Sequence, residues 1–197
     1  MRVKEGNKRE DIIKAAIKVF AKYGFYNAKI SKIAETANVA AGSVYLYFKN
    51  KEDILYQIFT EIWEELNLKL KDIADSKTLS PIEKVNCIID STFDVFESNP
   101  ALGIVFVNEQ NHVNDTWNDF IKYYDSFLDL GETVIKEGIK KKIFYSDINV
   151  SVFRFFVFGG IRHSIQTWAK NPKAYSLTDF RNGIKELINN GIVIRSK

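Results

Sequence analysis

The chain has 197 residues, of which 46% are hydrophobic and 27% charged, an ordinary balance for a soluble globular protein with a core of useful size. Its single cysteine, Cys87, excludes an intrachain disulfide, and there is no run of about eighteen apolar residues to span a membrane. The net charge of +3 is unevenly spread: residues 1–50 carry ten Lys and Arg against four Asp and Glu, and residues 51–197 carry eighteen against twenty-one.

A basic N-terminal quarter on a mildly acidic body suits a phosphate-backbone partner. The first ten residues, MRVKEGNKRE, are polar and lack the apolar stretch of a signal peptide, so the expected location is cytoplasmic. Asn7 and Glu10 have the spacing of a capping box and open a first helix. Ile12, Ile13, Ala16, Ile17 and Phe20 form its apolar stripe, and Gly24 ends it as a left-handed cap. A short helix over 30–37 buries Ile30, Ile33 and Ala34, and Asn38 supplies a turn residue that tolerates the left-handed region. A second short helix covers 41–47, and Asn50 caps a long helix over 51–74. Further helices are predicted near 80–98, 100–112, 115–140, 149–170 and 177–193, with Pro81, Pro100 and Pro172 at the breaks. The fold class is therefore all-α, about nine helices, with an N-terminal three-helix module over 1–50 and a helical body over 51–197.

Two short helices on a longer first one make a helix-turn-helix, in which the second short helix enters the major groove. Gly42 allows close backbone approach, Ser43 can donate to a phosphate, and Val44 offers an apolar surface to a thymine methyl. Tyr45 and Tyr47 can place hydroxyls on phosphates or base edges, and Ala41 begins the helix that carries them. Lys51 adds a charge to a helix N-terminus that already favours anions, while Lys29, Ser31 and Lys32 bracket the other short helix. Phe48 is assigned to the core.

The stretch ISKIAETANVAAGSVYLYFKNKEDIL resembles the N-terminal signature of the TetR family of bacterial regulators. The matching positions are Ile33-Ala34, Val39, Gly42-Ser43, the aromatic Tyr45, Tyr47 and Phe48, and the run Lys49 to Asp53, preceded by Ala16, Phe20 and Gly24-Phe25. Asn38 stands where that family often has Gly, and Ala40 where it often has a capping Ser, a loss of about 1 kcal/mol in capping. The resemblance implies a DNA-binding domain over 1–50 and a helical effector-binding and dimerisation domain over 51–197: a homodimer on a palindromic operator in double-stranded DNA, with a ligand pocket between body helices and an interface made by the last two long helices.

The body is rich in aromatic residues, among them Phe93, Phe96, Trp117, Phe120, Tyr124 and Phe127, which can build a core or line a cavity. The interface expected on the resemblance uses Gly159, Phe180, Ile184, Leu187 and Ile188, with Gly159 and Gly160 each costing about 1 kcal/mol in mid-helix unless helices approach closely or a ligand needs the room. The segments YLYFKNKEDIL, ALGIVFVNEQ and FGG…TWAKNPKAYSL resemble the branch of the family that represses fatty-acid degradation and responds to long-chain acyl-CoA. On that resemblance an acyl chain lies among Phe106, Phe153, Phe156 and Trp168, with Arg154, Arg162 or Lys170 near the CoA phosphates, and Gly160 is expected to line the ligand pocket. Two alternatives stay open: a multidrug-type sensor, for which Glu109 is the buried acid, and a ligand-independent architectural or cell-division DNA binder. His112 and His163 lie in no metal motif, Cys87 has no sulfur neighbour, and no Gly-rich phosphate loop or G-x-S-x-G elbow occurs, so neither an enzyme nor a bound cofactor is expected.

Overall fold

The computed structural model describes residues 8–113 and 118–194, and all of their side chains except those of 110–113 and 118–120. The described residues form nine helices: α1 (Lys8–Tyr23), α2 (Ile30–Thr36), α3 (Ala41–Val44), α4 (Lys51–Asp75), α5 (Pro81–Glu97), α6 (Pro100–Val113), α7 (Asn118–Lys140), α8 (Val150–Lys170) and α9 (Leu177–Ile192). Order and boundaries follow the sequence pattern closely. The exception is α3, which ends at Val44 and continues through Tyr47 as a turn. One isolated antiparallel bridge, Phe144 to Val193, is the β pairing among the described residues. Asn7, Trp117 and the side chains of His112 and Phe120 lie outside the description.

The helix ends have identifiable causes. Gly24 closes α1 at φ 74°, and Asn38 makes the turn after α2 at φ 55°. The Asn50 side chain accepts from the Asp53 N–H at 2.8 Å. Ser80 and Glu83 make a reciprocal capping box ahead of α5, with Pro81 in its first turn. Ala40 offers α3 no side-chain cap, as its identity requires.

α4 is the central strut: it packs along α7, on α5, and at its start on α1. Trp63 of α4 is fully buried, with ring centres of Phe106, Tyr124 and Phe127 at 5.6, 5.5 and 5.2 Å. α1 also packs on α6, α6 on α8, and α8 on α9, so the N-terminal helices share one continuous core with the body. The C-terminal end of α4 is tied down by Lys84, only 2% exposed. Its Nζ donates to the Ala74 carbonyl at 2.7 Å and to Glu137 Oε2 at 2.8 Å. One otherwise unpaired helix-end carbonyl is thereby satisfied, and the buried charge acquires a partner. Hydrogen bonds from Lys141 and Lys84 hold the Glu137 carboxyl below its ordinary value of 4.5.

Candidate nucleic-acid interface and effector cavity

The reading module is assembled from small buried anchors. Ile33 and Ala34 fix α2 to the core, and Val44 and Phe48 fix α3 and the turn behind it. This leaves Lys29, Ser31, Ala41, Gly42, Tyr45 and Tyr47 exposed and Ser43 half-buried on the face made by α2 and α3. Nothing lies within 4 Å of where a Gly42 side chain would begin, so the backbone there is open to close approach. Lys32 pairs with Glu35 at 2.9 Å, an exposed contact that a phosphate can replace. Tyr26 and Leu46, which are not among the residues expected from the sequence, are also largely exposed. A bulky apolar residue between two tyrosines in the turn after α3 is the signal that marks Leu46.

Two assignments on this face are corrected. Val44 has 0% exposure and is core, so it cannot meet a thymine methyl. Lys51 turns inward from the start of α4: its Nζ reaches the carbonyls of Phe25, Tyr26 and Ala28 at 2.8, 3.0 and 3.4 Å. It also sits 4.6 Å from the centre of the Phe25 ring. An ammonium has three protons, and three carbonyls take them. Lys51 therefore clamps the α1–α2 turn rather than presenting a charge to DNA.

A second site lies inside the body. A cavity of about 70 Å³ is walled by Leu70 of α4, by Val85, Ile89 and Thr92 of α5, by Phe127, Gly131 and Ile135 of α7, and by Phe153, Val157 and Ile161 of α8. Its lining is apolar except for Arg154 and Glu132, which pair at 2.9 Å, and Thr92. Arg154 also reaches Asp129 at 3.1 Å, and its buried Nε has no acceptor. Hydrogen bonding by Lys136, with the nearby Arg154 and against some burial, holds the Glu132 carboxyl below 4.5.

Of the residues expected around an acyl chain, the cavity gathers Phe153 alone. Phe106 and Trp168 are buried in the core but do not line it. Phe156 is 78% exposed and Gly160 faces outward, so both leave the cavity assignment. Helical phase is the reason: Phe153 and Val157 share the inner face of α8, and Phe156 and Gly160 the outer. Arg162 donates from Nη2 to the Val107 carbonyl at 2.7 Å, and burial lowers its pKa below the usual guanidinium range. Burial likewise raises that of Tyr124 from 10.0. Lys170 is exposed at the end of α8. Glu109 lies away from the cavity, at the junction of α6 with the α1–α2 turn, where its Oε1 accepts from the Phe25 N–H at 3.2 Å. It is therefore not an acid waiting for a cationic drug.

The outer face of α8 carries Val152, Phe155, Phe156, Gly159, Gly160 and His163, all exposed and spaced as one helical face. On α9, Leu187 is 75% exposed between Gly183 and Gly191, one turn to either side. None of these four glycines has an atom within 4 Å of its would-be Cβ. Phe180 and Ile184 are half-buried, packed against the protomer's own core. Ile188 is buried and lines the cavity, so it is removed from the outer face. Among the described residues no cluster of His, Cys, Asp and Glu could hold a metal, and no helix is long and apolar enough to cross a membrane.

Comparison with known proteins agrees with this architecture. Residues 12–58 match the bacterial regulatory proteins of the tetR family, and residues 59–191 match the YsiA-like protein C-terminal region. The fatty acid metabolism regulator protein of Bacillus subtilis (strain 168) is 33% identical over 185 residues, covering 92% of this chain and 93% of that protein. The fatty acid degradation regulator FadR from Bacillus halodurans superposes with a TM-score of 0.79 at 28% identity, over 99% of this chain and 100% of that one. The transcriptional regulator FadR from Bacillus subtilis, solved in complex with stearoyl-CoA, superposes with a TM-score of 0.76 at 30% identity, over 93% and 98%. With its two halves matched in order and a relative at one-third identity along nearly its full length, this chain belongs to the TetR family of bacterial regulatory proteins.

Proposed function

We propose that the protein is a homodimeric repressor that leaves a palindromic operator when a long-chain acyl-CoA enters the body of each protomer. The observation that carries this reading is the cavity between α4, α5, α7 and α8, apolar along its walls with one arginine, Arg154, ion-paired to Glu132 on its lining. Such a site suits an amphiphile: the walls bury a hydrocarbon chain, and the guanidinium, with an unused Nε, meets an anionic or strongly polar head. The similarity to a regulator solved with stearoyl-CoA supports the choice of ligand.

The cavity's size supplies the mechanism. At about 70 Å³ it is far smaller than the roughly 300–1,000 Å³ of a site that holds a drug-sized molecule. An acyl chain therefore binds only a body whose helices have moved apart, and it favours that state by its differential affinity. Two reading modules must sit about one helical turn of DNA apart, about 34–36 Å, so a body change that alters their spacing weakens operator binding. The apolar outer face of α8, with the Leu187 face of α9, is the surface on which two protomers meet. The DNA-reading domain over 1–50 would then act on DNA, and the remainder on ligand and partner.

The test is equilibrium binding of stearoyl-CoA to the purified protein, alone and in competition with operator DNA. Saturation at one ligand per protomer, with release of the DNA, is expected; free CoA should do neither, and Arg154→Ala should weaken ligand binding about tenfold or more. Absence of stearoyl-CoA binding, or binding that leaves the operator complex intact, would refute the reading.

A further inference from the structure

α1 ends in a one-bond closure, the Gly24 N–H returning to the Phe20 carbonyl at 2.9 Å. The N–H of the next residue, Phe25, goes elsewhere. Phe25 is buried, and a buried N–H requires an acceptor. It donates to Glu109 Oε1 at 3.2 Å, on α6 and 84 residues away along the chain. Glu109 is itself only 6% exposed. The other parts of Phe25 are held as well. Its carbonyl accepts from Lys51 of α4, and its ring lies 5.5 Å from that of Phe20 on α1 and beneath the Lys51 ammonium. One residue of the α1–α2 turn is thus gripped by α6 through its N–H and by α4 through its carbonyl.

That turn leads directly into the reading module, with Lys29 as the residue before α2. In the other direction α6 is bound to the cavity wall. Arg162 of α8 donates to the Val107 carbonyl, one turn of α8 beyond the cavity residue Phe158. Gly103 of α6 leaves just enough room for Ile165 and Ala169 of α8. Cavity wall, α8, α6, Glu109 and the α1–α2 turn are therefore contiguous.

We infer that Glu109 is the positioning residue through which the body sets the orientation of the DNA-reading module. A carboxylate seated on α6 that grips a backbone N–H couples the turn to α6: the backbone end has no rotamer to absorb a shift, and burial restricts those of Glu109. Lys51 grips the same turn from α4, so the module's orientation follows the relative position of α4 and α6. Coupling of operator affinity to the state of the body then depends on this contact. Only the ligand-response part of the test below rests on the proposed acyl-CoA reading.

The experiment compares the full-length wild type with Glu109→Ala and Glu109→Gln. Its measurements are hydrogen exchange at the Phe25 amide, and operator affinity with and without stearoyl-CoA. In Glu109→Ala, Phe25 exchange should accelerate about tenfold or more while amides of α5, α7 and α9 keep their protection, and the ratio of operator affinities without and with stearoyl-CoA should fall at least tenfold towards one. Glu109→Gln keeps an acceptor oxygen and should restore most of both. If Glu109→Ala retains wild-type Phe25 protection, or loses protection throughout the body so that it acts only on global stability, the positioning role is overturned. Wild-type protein that ignores stearoyl-CoA would refute the ligand reading; the positioning role is then decided by Phe25 exchange together with operator affinity, which must fall in Glu109→Ala and recover in Glu109→Gln.

Discussion

Gly160→Ala separates the behaviour of a lone protomer from that of a dimer. Gly160 lies inside α8 with no atom within 4 Å of its would-be Cβ, so within one protomer the added methyl meets nothing. Alanine is favoured over glycine in a helix interior by about 1 kcal/mol, and a lone protomer should gain that stability. The gain is the same in monomer and dimer and cancels in the association equilibrium. At a two-fold interface the methyl appears twice, and forcing it into close-packed helices costs about 1–3 kcal/mol each time, or about 2–6 kcal/mol per dimer. Sedimentation equilibrium should therefore show a dimer weakened roughly thirtyfold or more, while melting at concentrations where the protein is monomeric shows a raised Tm. An unchanged dimer constant with a raised Tm would mean that this face of α8 is not where protomers meet.

Three further outcomes follow from particular contacts. Lys51→Met should destabilise the protein by about 1–3 kcal/mol, since it strips a shared donor from three carbonyls, and lower operator affinity without changing the salt slope. A salt slope reduced by about one would instead mark Lys51 as a phosphate contact. Gly131→Leu, at a cavity-lining position with nothing within 4 Å of its would-be Cβ, should fill the cavity and blunt release by stearoyl-CoA while leaving operator affinity intact; an undiminished ligand response would place the ligand elsewhere. Glu137, held below its ordinary value of 4.5, contributes stability that is present above that value and is lost as pH falls through its lowered one. Glu137→Gln should therefore be less stable at neutral pH by about 1 kcal/mol and show a flatter acid limb in urea titrations; an equal pH dependence in both proteins would contradict the assigned role.

The helical frame was legible because its signals are local. Apolar spacing, Gly24, Asn38, Asn50 and the three prolines each act within a turn or two of themselves, and the structure places helix ends where they fall. Exposed reading-face residues such as Tyr45 and Tyr47 were legible for the same reason. Facing was harder. Phe153 and Phe156 are three residues apart in one aromatic run, and nothing local says which looks into the cavity and which towards solvent. The difference is made by α5 and α7 packing against one side of α8. Val44 and Ile188 were misplaced likewise, each sitting on a helix whose partner determines which side is inside.

The least legible features join distant parts of the chain. Lys51 has the sequence context of a phosphate ligand, and only the fold brings three carbonyls of the α1–α2 turn within its reach. From the sequence Glu109 reads only as the buried acid of a multidrug-type sensor. Its partner is a backbone N–H, a group every residue but proline possesses, so no sequence pattern could identify it. Lys84, buried against Ala74 and Glu137, carries no local signal, because a lysine in an amphipathic helix normally reads as surface.

The most direct test of the central claim is a titration of the purified protein against a duplex from the region upstream of its own gene, at several salt concentrations, with and without stearoyl-CoA. The account predicts saturation at two protomers per palindromic site, an affinity that falls steeply with salt, and release when stearoyl-CoA is added. Binding to that duplex and to duplexes selected from random sequence that is no tighter than to random DNA, or a specific complex that saturates at one protomer and ignores stearoyl-CoA, would contradict it.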